Sequence, residues 1–119
     1  MIIVTGGAGF IGSNLARHFL FDHSQDVIVV DNLKNGKKFL NISDLDLLDY
    51  FDKNEFLDLL GMRDTLLDKC SAIIHMGACS RTTEWDGKYM LQNNYSYSKS
   101  VFHFAQNKKI PMIYASSAA

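Results

Sequence analysis

Near its start the chain runs Ile2-Ile3-Val4-Thr5-Gly6-Gly7-Ala8-Gly9-Phe10-Ile11-Gly12, and the architecture follows from this stretch. It carries G-x-G-x-x-G at Gly7, Gly9 and Gly12, and G-x-x-G-x-x-G at Gly6, Gly9 and Gly12. An apolar run leads straight into the glycines. Apolar residues at 10, 11, 15, 16, 19 and 20 follow, which is the spacing of one helix face, and the polar turn Ser24-Gln25-Asp26 closes it. Strand, glycine turn and amphipathic helix in this order are what a pyrophosphate requires. The turn must be tight, the backbone must come close to the phosphates, and a helix N-terminus must offer its N–H groups and positive dipole end. A second apolar run, Val27-Ile28-Val29-Val30, ends at Asp31, about 20 residues past Gly12, where a carboxylate for a ribose diol is expected.

Working outward, Ala72-Ile73-Ile74 and Met112-Ile113-Tyr114-Ala115 are two further short apolar runs. None of the four alternates polar with apolar, as befits strands buried on both faces of a parallel sheet. A long helix is predicted over 88–108, ending at Lys108-Lys109 before the breaker Pro111. Between them, Phe39-Leu40-Asn41-Ile42 is a candidate third strand, and residues 52–60 a candidate helix ending near Gly61. The segment 44–49 fits either state. This alternation predicts an α/β fold, a doubly wound parallel sheet of the Rossmann type that binds NAD(P). The last residues, Ser116-Ser117-Ala118-Ala119, directly follow a strand that in such a fold leads into another crossover helix. Residues 1–119 are therefore expected to be a truncated, N-terminal part of the dinucleotide-binding domain, with the rest of that domain and a substrate lobe beyond.

Composition narrows the function. With 119 residues, 12 Lys+Arg against 13 Asp+Glu and 47% hydrophobic residues, the chain is globular rather than disordered. A net charge of -1 provides no basic footprint, so neither nucleic acid nor an anionic membrane is an expected partner. No apolar run approaches the ~20 residues of a membrane span, and Met1-Ile2-Ile3-Val4 lacks the basic region of a signal peptide. Cys70 and Cys79 form neither a metal-ligand spacing nor a disulfide framework. A cytoplasmic location is expected.

The motif Thr-Gly-Gly-x-Gly-Phe-Ile-Gly resembles the opening of the extended short-chain dehydrogenase/reductase superfamily, which includes nucleotide-sugar epimerases and dehydratases. Three more stretches are similar to the ADP-glyceromanno-heptose 6-epimerases within it: residues 31–39 (Asp-Asn-Leu-Lys-Asn-Gly-Lys-Lys-Phe), Gly77-Ala78-Cys79-Ser80, and residues 82–90 (Thr-Thr-Glu-Trp-Asp-Gly-Lys-Tyr-Met). The last is the most specific. The resemblance implies epimerisation of an ADP-linked heptose by transient oxidation with NADP, in lipopolysaccharide core heptose synthesis, by a homo-oligomeric parent of which this is the first third. It places Gly6, Gly9 and Gly12 in the cofactor turn, with Phe10 and Ile11 against the pyrophosphate. Asp31 and Asn32 would meet the adenosine ribose, and Lys38 and Lys53 the 2′-phosphate. Met76, Gly77, Ala78, Cys79 and Ser80 would line the nicotinamide-side ribose and phosphates, and Asn93 would reach the cofactor from the long helix. Ser117 matches the catalytic serine. Met76 departs from the pattern, which carries an acidic residue there, but a backbone contact tolerates it.

Two readings of the cofactor compete. Asp31 suits a free ribose diol and repels a 2′-phosphate, which favours NAD. The lysines at 34, 37 and 38 and the neutral Asn32 favour NADP, as the resemblance does, and NADP is the expectation. Cys79 reads as a small packed residue, His75 as structural at the end of a strand, and Trp85 as an anchor for its loop. Tyr95-Ser96-Tyr97-Ser98-Lys99 contains Y-x-x-x-K, the superfamily's catalytic spacing. It precedes Ser117, whereas in the superfamily the Tyr-Lys helix follows the serine strand. Tyr95 and Lys99 are therefore expected to serve packing and surface charge, with the catalytic pair beyond Ala119. The alternatives are another nucleotide-sugar epimerase or dehydratase, and a non-catalytic NADP-binding module.

Overall fold

The computed structural model describes residues 1–62, 64–78 and 83–116. Five parallel strands form one sheet: β1 (Ile2–Thr5), β2 (Val27–Asp31), β3 (Asp49–Asp52), β4 (Ala72–His75) and β5 (Met112–Tyr114). Their spatial order is β3-β2-β1-β4-β5. The chain winds outward one way through β2 and β3, then crosses back beside β1 to begin β4. That reversal leaves a crevice at the C-terminal ends of β1 and β4, where doubly wound sheets bind ligands. The α/β, doubly wound reading of the sequence is the observed fold.

Successive residues of each strand face opposite sides. Ile2, Val4, Val27, Val29 and Ile74 pack with Ala16, Leu15 and Phe19 of helix α1 (Phe10–Asp22) and with Ile42 and Leu45. On the other face Ile3, Ile28, Val30 and Ile73 pack against Phe56 of helix α2 (Lys53–Met62) and Leu67. Tyr97, Val101, Phe104 and Ala105 of helix α4 (Tyr97–Lys108) complete that layer. Both faces of β1 and β2 are thus sealed, which is why they are written in Val and Ile without a polar alternate.

The long helix after β4 is not uniform. It begins with one α turn, α3 (Gly87–Met90), capped by the Asp86 side chain, which accepts from Tyr89 N–H. Leu91–Ser96 then form a π-helical segment before α4 begins. At the far end Lys109 adopts φ +56°, and Pro111 prevents continuation.

The candidate strand at residues 39–42 is not a strand. Gly36–Asn41 form a 3₁₀ helix whose cap, Asn35, accepts from Lys37 N–H, while Phe39 and Leu40 stay exposed. The third strand is Asp49–Asp52, with Tyr50 opposite Val29 and Phe51 opposite Val30. Its two apolar residues between aspartates suffice because it lies at the sheet edge with only one neighbouring strand. No run length signalled it.

Candidate functional site

The glycine turn lies in the crevice, and its glycines answer different demands. Gly6 has φ +65°, and a Cβ there would lie 2.7 Å from the Met76 carbonyl carbon and 2.8 Å from Gly77 N. The turns after β1 and β4 therefore touch backbone to backbone. At Gly12 a Cβ would lie 2.2 Å from Gly6 O, so α1 can settle onto the turn only without one. Gly9 differs. A Cβ there would lie 3.2 Å from Gly6 O, a tight contact that a shift of a few tenths of an ångström relieves, so packing demands less of Gly9 than of Gly6 or Gly12. Gly9 is the N-cap of α1 and has no side chain to cap the first-turn N–H groups. Phe10 and Ile11, the next residues, are 83% and 62% exposed. A glycine at an uncapped helix N-terminus, beside two exposed apolar side chains, fits a dinucleotide pyrophosphate.

Asp31 ends β2 and is buried. Its Oδ2 accepts from Ala8 N–H in the glycine turn at 3.0 Å, and its Oδ1 accepts from Asn32 N–H at 2.8 Å and from Lys38 Nζ at 3.1 Å. Lys38 thus neutralises the carboxylate that would repel a phosphate. Asn41 steadies the turn from the 3₁₀ helix, its Nδ2 donating to Ala8 O at 2.8 Å.

Lys53, the first residue of α2, donates to Asn93 Oδ1 at 2.5 Å, and its ammonium lies 4.8 Å from the Tyr97 ring centroid. The two residues expected at the cofactor from different elements are therefore joined directly. Burial lowers the Lys53 pKa, and the charge of Lys34 lowers it further, against the opposing effect of Asp52. Lys34, Lys53, Asn32, Asn54, Tyr89 and Asn93 line a cleft of about 170 Å³. Lys53 and Lys34 line this cleft together, while Lys38 forms an ion pair with Asp31. The Lys34 ammonium lies 5.6 Å from the Tyr89 ring centroid.

Sequence reasoning left one network unread. Thr5 Oγ1 accepts from Gly77 N–H at 3.1 Å and lies 2.6 Å from His75 Nδ1, and His75 Nε2 lies 2.8 Å from Ser98 Oγ. Either ring tautomer satisfies both contacts, because the hydroxyls of Thr5 and Ser98 can each donate or accept. Burial, with Lys53 second, pushes the His75 pKa down to about 4. The Tyr97 ring stands edge-on to the His75 ring at 5.1 Å, and burial pushes the Tyr97 phenol upward. The network ties β1, β4 and α4 together behind the crevice. The Ser98 position two residues into α4, facing a strand-end histidine, was its only sequence signal.

Met76, Gly77 and Ala78 follow β4 directly, with Met76 N–H donating to Thr5 O at 3.0 Å. Tyr95 is 61% exposed, and the Lys99 ammonium lies 5.9 Å from its ring centroid, away from the glycine turn's network. Cys79, Ser80 and Ser117 lie outside the described residues.

Residues 2–119 match the NAD dependent epimerase/dehydratase family. The chain belongs to that family. Among solved structures it is similar to the ADP-L-glycero-D-manno-heptose-6-epimerase of Helicobacter pylori, at 35% identity and TM-score 0.80, over 98% of this chain and 39% of that one. It is also similar to the UDP-glucuronic acid 4-epimerase of Bacillus cereus, solved with UDP-glucuronic acid and NAD, at 26% identity and TM-score 0.79, over 98% and 40% of the two chains. An enzyme of Bordetella bronchiseptica solved with NAD and UDP shares the fold, at 23% identity and TM-score 0.77, over 95% and 36%. The chain thus spans about two fifths of the length of these relatives.

Proposed function

We propose that the chain is the cofactor-binding front of a nucleotide-sugar epimerase that uses NADP and acts on an ADP-linked heptose. The observation that carries the cofactor reading is Gly9, a glycine at an uncapped helix N-terminus beside exposed Phe10 and Ile11. The heptose is supported by the 35% identity to the Helicobacter pylori enzyme and by the resemblance carried by residues 82–90.

In this reading Gly6, Gly9 and Gly12 shape the turn, and the first-turn N–H groups of α1 take the pyrophosphate. Asn32, Lys34 and Lys53 supply neutral and cationic groups for a 2′-phosphate, and Lys38 quenches the repulsion from Asp31. Asn93 holds Lys53 in place. Met76 to Ala78, fixed through Thr5, form the nicotinamide-side wall, and Cys79 and Ser80 are assigned to the same ribose and phosphates by the resemblance. Bound nicotinamide supplies the hydride acceptor and donor for inversion at a carbinol carbon. Ser117 is the chain's own group for hydrogen bonding to that carbinol, and a tyrosine outside residues 1–119 takes its proton. The parent is an assembly of identical subunits working on a soluble substrate.

A second reading, NAD in place of NADP, is favoured by the buried Asp31 carboxylate at the end of β2. Isothermal titration of the full-length protein with each cofactor separates the two. Tighter binding of NADP is expected, and equal or tighter binding of NAD overturns the phosphate role. Turnover of ADP-heptose but not of UDP-glucuronic acid is expected in a proton NMR assay, and the reverse preference overturns the substrate.

A further inference from the structure

At the end of α1 remote from the glycine turn, two imidazoles and a carboxylate form a chain of contacts that the cofactor reading does not use. His18 Nδ1 lies 2.6 Å from Asp22 Oδ2, and His18 Nε2 lies 3.0 Å from His23 Nε2. An ionised carboxylate only accepts, so His18 carries its proton at Nδ1, and in the neutral ring the Nε2 lone pair is turned toward His23. The helix end places both residues. His23 is the C-cap of α1, Ser24 follows with φ +50°, and Gln25 N–H donates to Phe19 O at 3.0 Å, which closes the helix end. The Phe19 ring lies against both imidazoles, at centroid distances of 5.7 and 6.0 Å.

We infer that His18 and His23 chelate one divalent transition-metal ion that prefers imidazole, zinc or copper(II), with the Asp22 carboxylate behind them. Two nitrogens on a tetrahedral zinc at ~2.0–2.1 Å stand about 3.3 Å apart, so the observed 3.0 Å has to open by only a few tenths of an ångström. The ion takes the place of the proton on His23 Nε2, which passes to solvent while Nδ1 takes one up, so the ring binds as a neutral imidazole. Asp22 accepting from His18 Nδ1–H is the arrangement that fixes a ligand ring's tautomer and strengthens its donor nitrogen. The unpaired carbonyls of the helix C-terminus add partial negative charge on the same side. His18, Asp22 and His23 are all exposed, so an ion reaches them directly. Among the described residues no three His, Cys, Asp or Glu converge on one point, so two imidazoles hold the ion and water completes its shell. The helix between this site and the glycine turn is 13 residues long, about 20 Å, and the site is separate from the cofactor crevice.

Zinc chloride and copper(II) chloride titrated into the full-length protein test this by calorimetry, with the imidazole nitrogens followed by long-range proton–nitrogen NMR for zinc. One saturable site is expected, with the His18 and His23 nitrogens shifting together while those of His75 and His103 stay in place. His18→Gln and His23→Gln should each abolish it, and Asp22→Asn should weaken it ~10-fold or more, with unchanged circular dichroism. Binding that survives both histidine substitutions, or a shift confined to one ring, overturns the site and marks an adventitious ion only. Should a substituted protein fail to fold, the ring shifts of the unaltered protein decide alone.

Discussion

Gly9 and Gly12 stand three residues apart in one motif, yet their substitutions should fail in different assays. A methyl at Gly12 is driven into Gly6 O at 2.2 Å, and neither backbone can yield without moving α1 off the sheet. Gly12→Ala should cost about 1–3 kcal/mol of stability, seen as a lower urea midpoint. Gly9 has extended backbone, φ -73° and ψ 172°, that a valine adopts readily, and a Cβ there has to displace Gly6 O by only a few tenths of an ångström. Gly9→Val should cost less stability than Gly12→Ala while abolishing dinucleotide binding in a calorimetric titration, because the branched side chain fills the approach to the pyrophosphate. His75 offers a third residue-scale test. Its pKa is about 4 in the folded protein against 6.5 unfolded, so between those values the unfolded chain binds the extra proton. Stability should therefore fall as pH drops from 6.5 toward 4, by up to about 3 kcal/mol, and be fully restored above 6.5. His75→Gln should flatten that slope, which urea melts at pH 7 and pH 5 would reveal.

At the scale of elements, the helix between β4 and β5 governs two expectations. Its π segment, Leu91–Ser96, carries Asn93 inward to Lys53 and leaves Tyr95 outside, with Lys99 over its ring. Such segments recur at functional sites because one extra residue per turn re-aims a side chain. Tyr95→Phe should leave turnover of the full-length enzyme within a small factor, whereas Ser117→Ala should lower it ~10²-fold, measured as initial rates of epimerisation. In the proposed reading the loop after β2 governs cofactor choice. Replacing Lys34 and Lys53 together with alanine should weaken NADP by ~1–3 kcal/mol relative to NAD, through lost charge-assisted bonds. Lys38→Ala should act in the same direction by a different route, leaving the Asp31 carboxylate unquenched beside the phosphate. Equal losses for the two cofactors in parallel titrations would refute both routes.

For the molecule as a whole, the sheet is sealed at its centre and open at one side. Ile113 and Tyr114 of β5 are 61% and 64% exposed, and Phe102 of α4 is 51% exposed. Edge strands with apolar side chains in water associate or pair with whatever covers them. Residues 1–119 expressed alone should bind a hydrophobic dye and melt with low cooperativity, since uncovering such a face removes much of a small domain's ~5–15 kcal/mol. They should show no epimerisation, lacking the tyrosine we place outside them. A sharp melt with measurable turnover would overturn that division of the enzyme.

What the sequence determined by itself is local. The β1 run, the glycine turn and α1 are contiguous, so their hydrogen bonds and apolar periodicity are written within some 20 residues, and the Rossmann-type reading follows from them. Buried strands β2 and β4 announce themselves because both faces must be apolar. Strand β3 was hidden, since an edge strand with a polar surround needs only Tyr50 and Phe51, and the richer Phe39-Leu40 run went to an exposed 3₁₀ helix. The tertiary structure alone decided the pairings that cross the sequence. Lys53 meets Asn93 across 40 residues, and Thr5 meets His75 across 70. The same winding that brings β4 beside β1 sets Lys38 on Asp31 and leaves Lys34 to share the cleft with Lys53. Which lysine faces a phosphate depends on where the loop after β2 comes to rest against α2 and the π segment, and spacing along the chain holds no record of it.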